Sequence, residues 1–164
     1  MTAVQFIRTG LDMSAHEALR LIDDMEDRPL TFPTSNGGNH PLWVLGHMAW
    51  TEGLLQQFIT GKPNPLADWS GIFGANTEPS ANPAVYPSFE EARAAFSKRR
   101  AQTLQMLETM SDADLDGPTK CPSEISTHVG TVGKCFMIMI LNVMTHRGQV
   151  ADARRALGLK RIGL

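Results

Sequence analysis

An asparagine, a histidine and a glutamine share one face of the most regular helical pattern in this sequence. Asn142, His146 and Gln149 recur at steps of four and three residues, so in a helix they form one stripe. The rest of that stripe is apolar, with Cys135, Met139 and Ala153. A buried amide and a buried imidazole cost free energy unless other groups bond to them. The pattern therefore predicts either a ligand site or a buried polar network.

A second histidine faces inward on another predicted helix. His47 falls on a stripe with large apolar residues, namely Trp43, Trp50 and Leu54. Taken alone, an inward histidine is more often a hydrogen-bonded core residue than a ligand. Glu52 lies about 140° around the helix from His47, so the two side chains need not share a face.

Four segments with helical periodicity are predicted to carry these residues, at about 3–26, 39–60, 88–110 and within 125–158. Three have a narrow apolar stripe, and the last is apolar nearly all round. Four helices and no convincing strand favour an all-α fold, a four-helix bundle, and the long connections imply at least one crossover. The length suits a single domain, residues 1–164.

Local signals mark the ends of these helices. Asn39 is a candidate N-cap before Pro41, whose missing N–H does no harm in a first turn. Ser88-Phe-Glu-Glu91 is a capping box, and Gly158 is a candidate C-cap. On the third helix, we expect Arg100 to lie on the outer face.

The segment 61–87 contains five prolines and three glycines, which exclude a long regular element. Its apolar residues indicate that part of it packs against the helices: Trp69, Ile72, Phe73, Val85 and Tyr86. An irregular segment of this length usually covers a site, contacts a partner or is mobile. We interpret it as a lid over one end of the bundle.

Composition and charge exclude several classes of partner. Hydrophobic residues make up 42% of the chain and charged residues 20%, as in soluble globular proteins. The net charge of -2 gives no overall attraction to phosphates, so we expect no nucleic acid. No apolar run is long enough for a membrane span and no secretion signal is recognisable, which predicts a cytoplasmic protein. Cys121 and Cys135 show neither zinc-site spacing nor a disulfide framework, and we expect both to be reduced.

Two stretches of the chain resemble a known family. They read Trp43-Val-Leu-Gly-His47-Met-Ala-Trp50, and Thr145-His146-Arg-Gly-Gln149-Val followed by Arg154-Arg-Ala-Leu-Gly158. Both are similar to motifs of the DinB-like (YfiT-like) superfamily, and the resemblance covers essentially the whole chain. In that family, a Gly-His-Leu-Ala motif on the second helix supplies one metal ligand. A His-x-x-x-His pair before Gly-Gln on the last helix supplies the other two.

The resemblance implies metal ligands at His47 and His146 and places the third ligand position at Asn142. Family members usually have histidine there or, in some thiol-dependent isomerases, glutamate. Residues four apart on a helix can bind one ion together with a group from a facing helix. Asparagine offers only a neutral carbonyl oxygen, which suits hard cations better than zinc or nickel. The implied site for a divalent metal, zinc or nickel, thus has an incomplete histidine triad.

Other residues are poorly placed to complete the triad. Cys135 lies eleven residues from His146, or about 16 Å along a helix axis. His40 could approach only if the chain folds back, and Glu52 only if the helix is oriented differently. Water or substrate is then left to fill the position.

The resemblance implies an enzyme of the thiol transferase or hydrolase kind, in which a metal activates a small thiol or a water. The alternative is a non-catalytic protein that has lost its metal and uses Asn142, His146 and Gln149 to bind a small molecule. A third interpretation is a core polar network without any site. The resemblance and the surplus of apolar residues on the first and last helices also predict a homodimer.

Overall fold

The computed structural model describes residues 1–32 and 38–163. Its long helices are α1 (Ala3–Asp23), α2 (Pro41–Thr60), α3 (Phe89–Glu108) and α4 (Val132–Ala156). Single helical turns span Ala67–Trp69, Ser70–Phe73, Pro83–Val85, Asp112–Asp116, Ser123–Ile125 and Ser126–Val129. The described residues form no strand, apart from one isolated bridge between Pro118 and Thr131. The predicted all-α fold is confirmed.

The four long helices pack as a bundle in which consecutive helices are not always neighbours. Helix α1 packs against α3 and α4, and α2 packs against the same two helices. Helices α1 and α2 therefore occupy diagonal positions, as do α3 and α4, and the chain crosses the end of the bundle between them. This arrangement is the predicted bundle with crossover connections. Within the described ranges, no helix combines the length and the apolar character that a membrane span requires.

Two clusters of buried apolar residues fill the bundle. One includes Met25, Trp43, Met48, Phe73, Phe96 and Val150. The other includes Leu11, Phe58, Leu107, Phe136 and Met139. Each fully buried side chain of this size contributes about 1.5–3 kcal/mol relative to exposure. Trp43 of the first cluster lies where α2 and α4 meet, since its ring contacts both His47 and His146.

The N-terminus of α2 differs from the prediction. The N-cap is His40 and not Asn39, because the ring Nδ1 of His40 accepts a hydrogen bond from Trp43 N at 3.0 Å. The Asn39 side chain instead donates to Gln149 Oε1 at 3.1 Å, which ties the start of α2 to α4. An imidazole nitrogen can replace the usual cap oxygen because it is also an acceptor.

The other predicted helix ends agree more closely with the structure. Ser88 and Glu91 form the expected capping box at the start of α3. Helix α4 starts later than the periodic stretch, since Thr131 caps it after a separate turn. The residue after its C-cap is Gly158, whose φ of +72° is a conformation that favours glycine.

The segment 61–87 packs against the part of α2 that carries the motif around His47. Phe73 is fully buried, and a Cβ at Gly46 would lie 2.2 Å from the Phe73 ring. Only glycine at position 46 lets this ring approach the α2 backbone so closely. Trp69, Ile72 and Tyr86 are half-buried against the same cluster, whereas Val85 is exposed.

Arg100 is buried, and the prediction of an outer position is wrong. Its guanidinium forms two bonds to the buried carboxylate of Glu52, at 2.7 and 2.8 Å. The hydroxyl of Thr103 donates to Glu52 at 2.7 Å, and Arg100 also donates to Leu11 O and Ser14 Oγ. Periodicity alone treats arginine as a surface residue, but a carboxylate on the facing helix compensates its charge here.

We predict that Glu52→Gln lowers the free energy of unfolding by about 3–5 kcal/mol, because it leaves Arg100 buried without its counter-charge. The matched control is Asp152→Asn, which removes a carboxylate from the exposed pair with Arg155 on α4. That change should alter stability by less than about 1 kcal/mol. Urea unfolding followed by circular dichroism measures both. Equal effects of the two variants would contradict the prediction.

Candidate functional site

The structure brings His47 of α2 and His146 of α4 together. Their ring centroids are 4.6 Å apart and their planes are inclined by 65°. Both side chains are buried, and the Trp43 ring stacks on His47 at 4.5 Å with the planes only 11° apart. The edge of Trp43 also meets His146 at 5.9 Å between centroids. The two histidines therefore share an aromatic environment between the helices.

A backbone carbonyl fixes the tautomer of His47. Its Nδ1 lies 2.7 Å from Phe73 O, and only an N–H can bond to a carbonyl oxygen. A neutral imidazole carries one N–H, so Nε2 holds the lone pair. The hydroxyl of Thr51 at 3.2 Å and the amide nitrogen of Asn142 at 3.3 Å can both donate to it.

His146 is oriented in a similar way. Its Nδ1–H donates to Gln149 Oε1 at 2.7 Å, and the same oxygen accepts the bond from Asn39. Across the described ranges, Nε2 of His146 has no hydrogen-bond partner, and it carries the free lone pair. Metal-ligating histidines typically donate their other N–H to an oxygen acceptor in this manner.

Asn142 lies beside both histidines and is half-buried. It is on the same stripe of α4 as His146, one turn earlier, and its amide nitrogen faces Nε2 of His47. All three residues of the predicted site are therefore brought together. Rotation of the amide group would present its carbonyl oxygen to the same place.

Burial keeps both imidazoles neutral at neutral pH. Desolvation lowers the pKa of His47 to about 4, the Phe73 carbonyl opposes this effect, and the nearby His146 adds to it. Desolvation also lowers the pKa of His146, against a smaller opposing effect of Gln149. Neutral imidazole is the form that binds metal ions.

The other candidates from the sequence lie outside this cluster. Glu52 points to Arg100, and His40 caps α2 while its Nε2–H donates to Ser80 O at 2.9 Å. Burial raises the pKa of the Cys135 thiol to about 12, so it is not a thiolate ligand at neutral pH. Both cysteines are free. In the described part of the chain, no group of three or more His, Cys, Asp or Glu side chains could hold a metal.

Sequence reasoning missed several groups that shape the site. Thr51 could have been found, because it lies four residues after His47 and thus on the same helical face. The Phe73 carbonyl could not, since it comes from an irregular segment 26 residues away. The role of Gly46 likewise depends on a neighbour, Phe73, that periodicity does not identify.

A comparison with protein families gives a match that covers most of the chain. The model of the DinB superfamily matches residues 11–150, a span that includes His47, Asn142 and His146. The chain belongs to the DinB superfamily. The resemblance inferred from the two sequence motifs is thereby confirmed. A comparison with curated proteins gave no match.

We predict that this DinB-superfamily protein, in a buffer that contains a chelator, loses stability as the pH falls from about 6.5 to 4. The unfolded chain protonates His47 near pH 6.5, whereas the folded protein does so only near about pH 4. Protons therefore favour the unfolded state throughout this window. The difference corresponds to roughly 3 kcal/mol. Urea unfolding at a series of pH values measures it.

The control is His47→Asn, which keeps a donor for Phe73 O but does not titrate. Between pH 6.5 and 4, the unfolding free energy of His47→Asn should therefore fall by roughly 3 kcal/mol less than that of the natural protein. The same pH dependence in both proteins would show that another group causes the loss.

Proposed function

We propose that His47, His146 and Asn142 hold a divalent metal ion, zinc or nickel, between α2 and α4. The site would serve a thiol transferase or hydrolase reaction on a small-molecule substrate. The observation that carries this proposal is the orientation of the two adjacent histidines. Each donates Nδ1–H to an oxygen acceptor, and each keeps its Nε2 lone pair.

The donor set fits such an ion, although it is weaker than three histidines. Imidazole nitrogens suit zinc and nickel, and the Asn142 carbonyl can supply a neutral oxygen after rotation of its amide. Three protein ligands leave a further position for substrate, as in catalytic sites. A metal bound there would supply Lewis-acid chemistry and lower the pKa of a thiol or a water.

The protein's own contribution is to orient these donors. The Phe73 carbonyl and the Trp43 ring hold His47 from two sides. Gln149 holds His146 and is itself held by Asn39 from the start of α2. Side chains fixed in this way lose little additional freedom when a ligand binds, which favours affinity.

A metal-free binding function is the second candidate, and one observation favours it. The Asn142 amide donates to His47 Nε2, so the protein itself satisfies the lone pair that a metal would use. A small molecule with polar groups could then bond to Asn142, His146 and Gln149 without any ion.

We predict that Asn142→His strengthens zinc binding at least about tenfold, because an imidazole replaces a neutral carbonyl oxygen. Calorimetric titration of the natural protein and the variant measures the affinities. The control adds His146→Gln to each protein, which should reduce zinc binding in both. Equal affinity of the natural protein and Asn142→His, or no binding by either, would contradict the assignment of the site.

We further propose a homodimer formed through the joint surface of α1 and α4. Helix α1 exposes Phe6 and Met13, and α4 exposes Met137, Leu141 and Met144. The two helices touch within this region, since a Cβ at Gly10 of α1 would lie 2.8 Å from Ile140 of α4. A contiguous exposed apolar patch favours an interaction site, and symmetric pairing is the commonest assembly.

We predict that Leu141→Glu converts the dimer to a monomer, because it places a charge within the apolar contact. The matched control is Val85→Glu, which alters an exposed apolar residue in the segment 61–87. Sedimentation at micromolar concentration should show dimers of the natural protein and of the control. A monomeric natural protein would refute the proposal.

A further inference from the structure

Arg99 of α3 is largely covered by its neighbours, while its guanidinium nitrogens reach solvent. The whole residue is only 6% exposed, and the guanidinium forms no hydrogen bond or ion pair with any residue of 1–32 or 38–163. Its backbone carbonyl accepts from Gln56 Nε2 at 2.7 Å and from Thr103 Oγ1 at 3.2 Å. A largely covered guanidinium with free donors is suited to bind an oxyanion.

The neighbouring buried groups leave an excess of positive charge. Arg99 and Arg100 are both mostly covered, and Glu52 is the one acidic residue among the buried residues of the described ranges. Both Glu52 oxygens are already bonded to Arg100, and one of them also accepts from Thr103. Burial lowers the pKa of Arg99, and the charge of Glu52 opposes this effect. Two guanidinium groups thus share one carboxylate.

Arg99 lines a cavity of about 510 Å³ between α2 and α3. The volume is within the range of small-molecule sites, about 300–1,000 Å³. Four glutamines contribute side chains to the lining, which contains no acidic residue: Gln56, Gln57, Gln102 and Gln105. The exposed Lys62 adds a second positive charge to it. The lining therefore combines cations with amide groups that can donate and accept hydrogen bonds.

Hydrogen bonds hold the side of the cavity that α2 and the segment after it form. A Cβ at Gly53 would lie 2.2 Å from Asn64 Oδ1, so glycine lets the segment after α2 return onto that helix. The buried Asn64 donates through its side chain to Trp50 O at 3.1 Å and through its backbone to Gln57 Oε1 at 2.9 Å. These bonds fix the adjacent Pro63 and Pro65, which line the cavity.

We propose that this cavity binds a small hydroxylated organic anion, whose carboxylate or phosphoryl group pairs with Arg99 while its hydroxyl groups bond to the glutamine amides. The planar fork of arginine matches either oxyanion through two parallel hydrogen bonds. Gln56 lies nine residues after His47, or about 13 Å along α2, so this site is distinct from the histidine cluster.

Thermal unfolding and calorimetric titration test the proposal at constant ionic strength with three probes. Sodium gluconate is a hydroxylated monocarboxylate, glucitol is its uncharged counterpart, and inorganic phosphate represents the phosphoryl group. We expect gluconate to bind and to raise the melting temperature, with no effect of glucitol. Stronger binding of phosphate than of gluconate would support the anion site and assign it to phosphorylated ligands.

Two matched variants locate the site. Arg99→Gln should weaken gluconate binding at least about tenfold, since a charge-assisted bidentate pair is lost. Lys98→Gln removes the same charge from the neighbouring exposed residue and should leave binding unchanged.

Two results would overturn the proposal. They are equal binding of gluconate by the natural protein and Arg99→Gln, and no response to either gluconate or phosphate. Zinc titration of Arg99→Gln should match the natural protein, so this proposal and the metal proposal can fail separately.

Discussion

The hydrogen bond from His47 Nδ1–H to the Phe73 carbonyl joins the segment 61–87 to α2 and at the same time sets the tautomer of the central histidine. It requires that the Phe73 ring lie directly on the α2 backbone, where only the glycine at position 46 leaves room. The motif Gly-His thus combines a steric requirement with a chemical one. Because the bond is buried, losing it would leave a carbonyl and an imidazole N–H unsatisfied.

Two polar clusters interrupt the core of the bundle, and they differ in charge. The cluster between α2 and α4 consists of neutral groups, the imidazoles of His47 and His146 and the amides around them. The cluster between α2 and α3 is ionic and contains Glu52 with two arginines. Neutral bases at the first are suited to bind a cation, whereas the positive excess at the second is suited to bind an anion.

Membership of the DinB superfamily is established by a match over most of the chain. An asparagine keeps the polar contact to His47 but contributes no strong ligand for zinc or nickel. The supports of both histidines are nevertheless present, in Phe73, Gln149 and Asn39. Each of these acceptors satisfies a buried imidazole N–H or the side chain that holds it.

The sequence by itself determined the four helices, the Ser88 capping box and the stripe that carries Asn142 and His146, because these features depend on residues within a few positions of each other. Together with the family motif, the sequence also identified His47 as the third residue of the site with Asn142 and His146. The tertiary structure alone decided that Arg100 is buried, because the compensating Glu52 lies on another helix. It also decided that the Phe73 carbonyl is the hydrogen-bond partner of His47. Every residue has a backbone carbonyl, and only packing determines which one reaches this histidine.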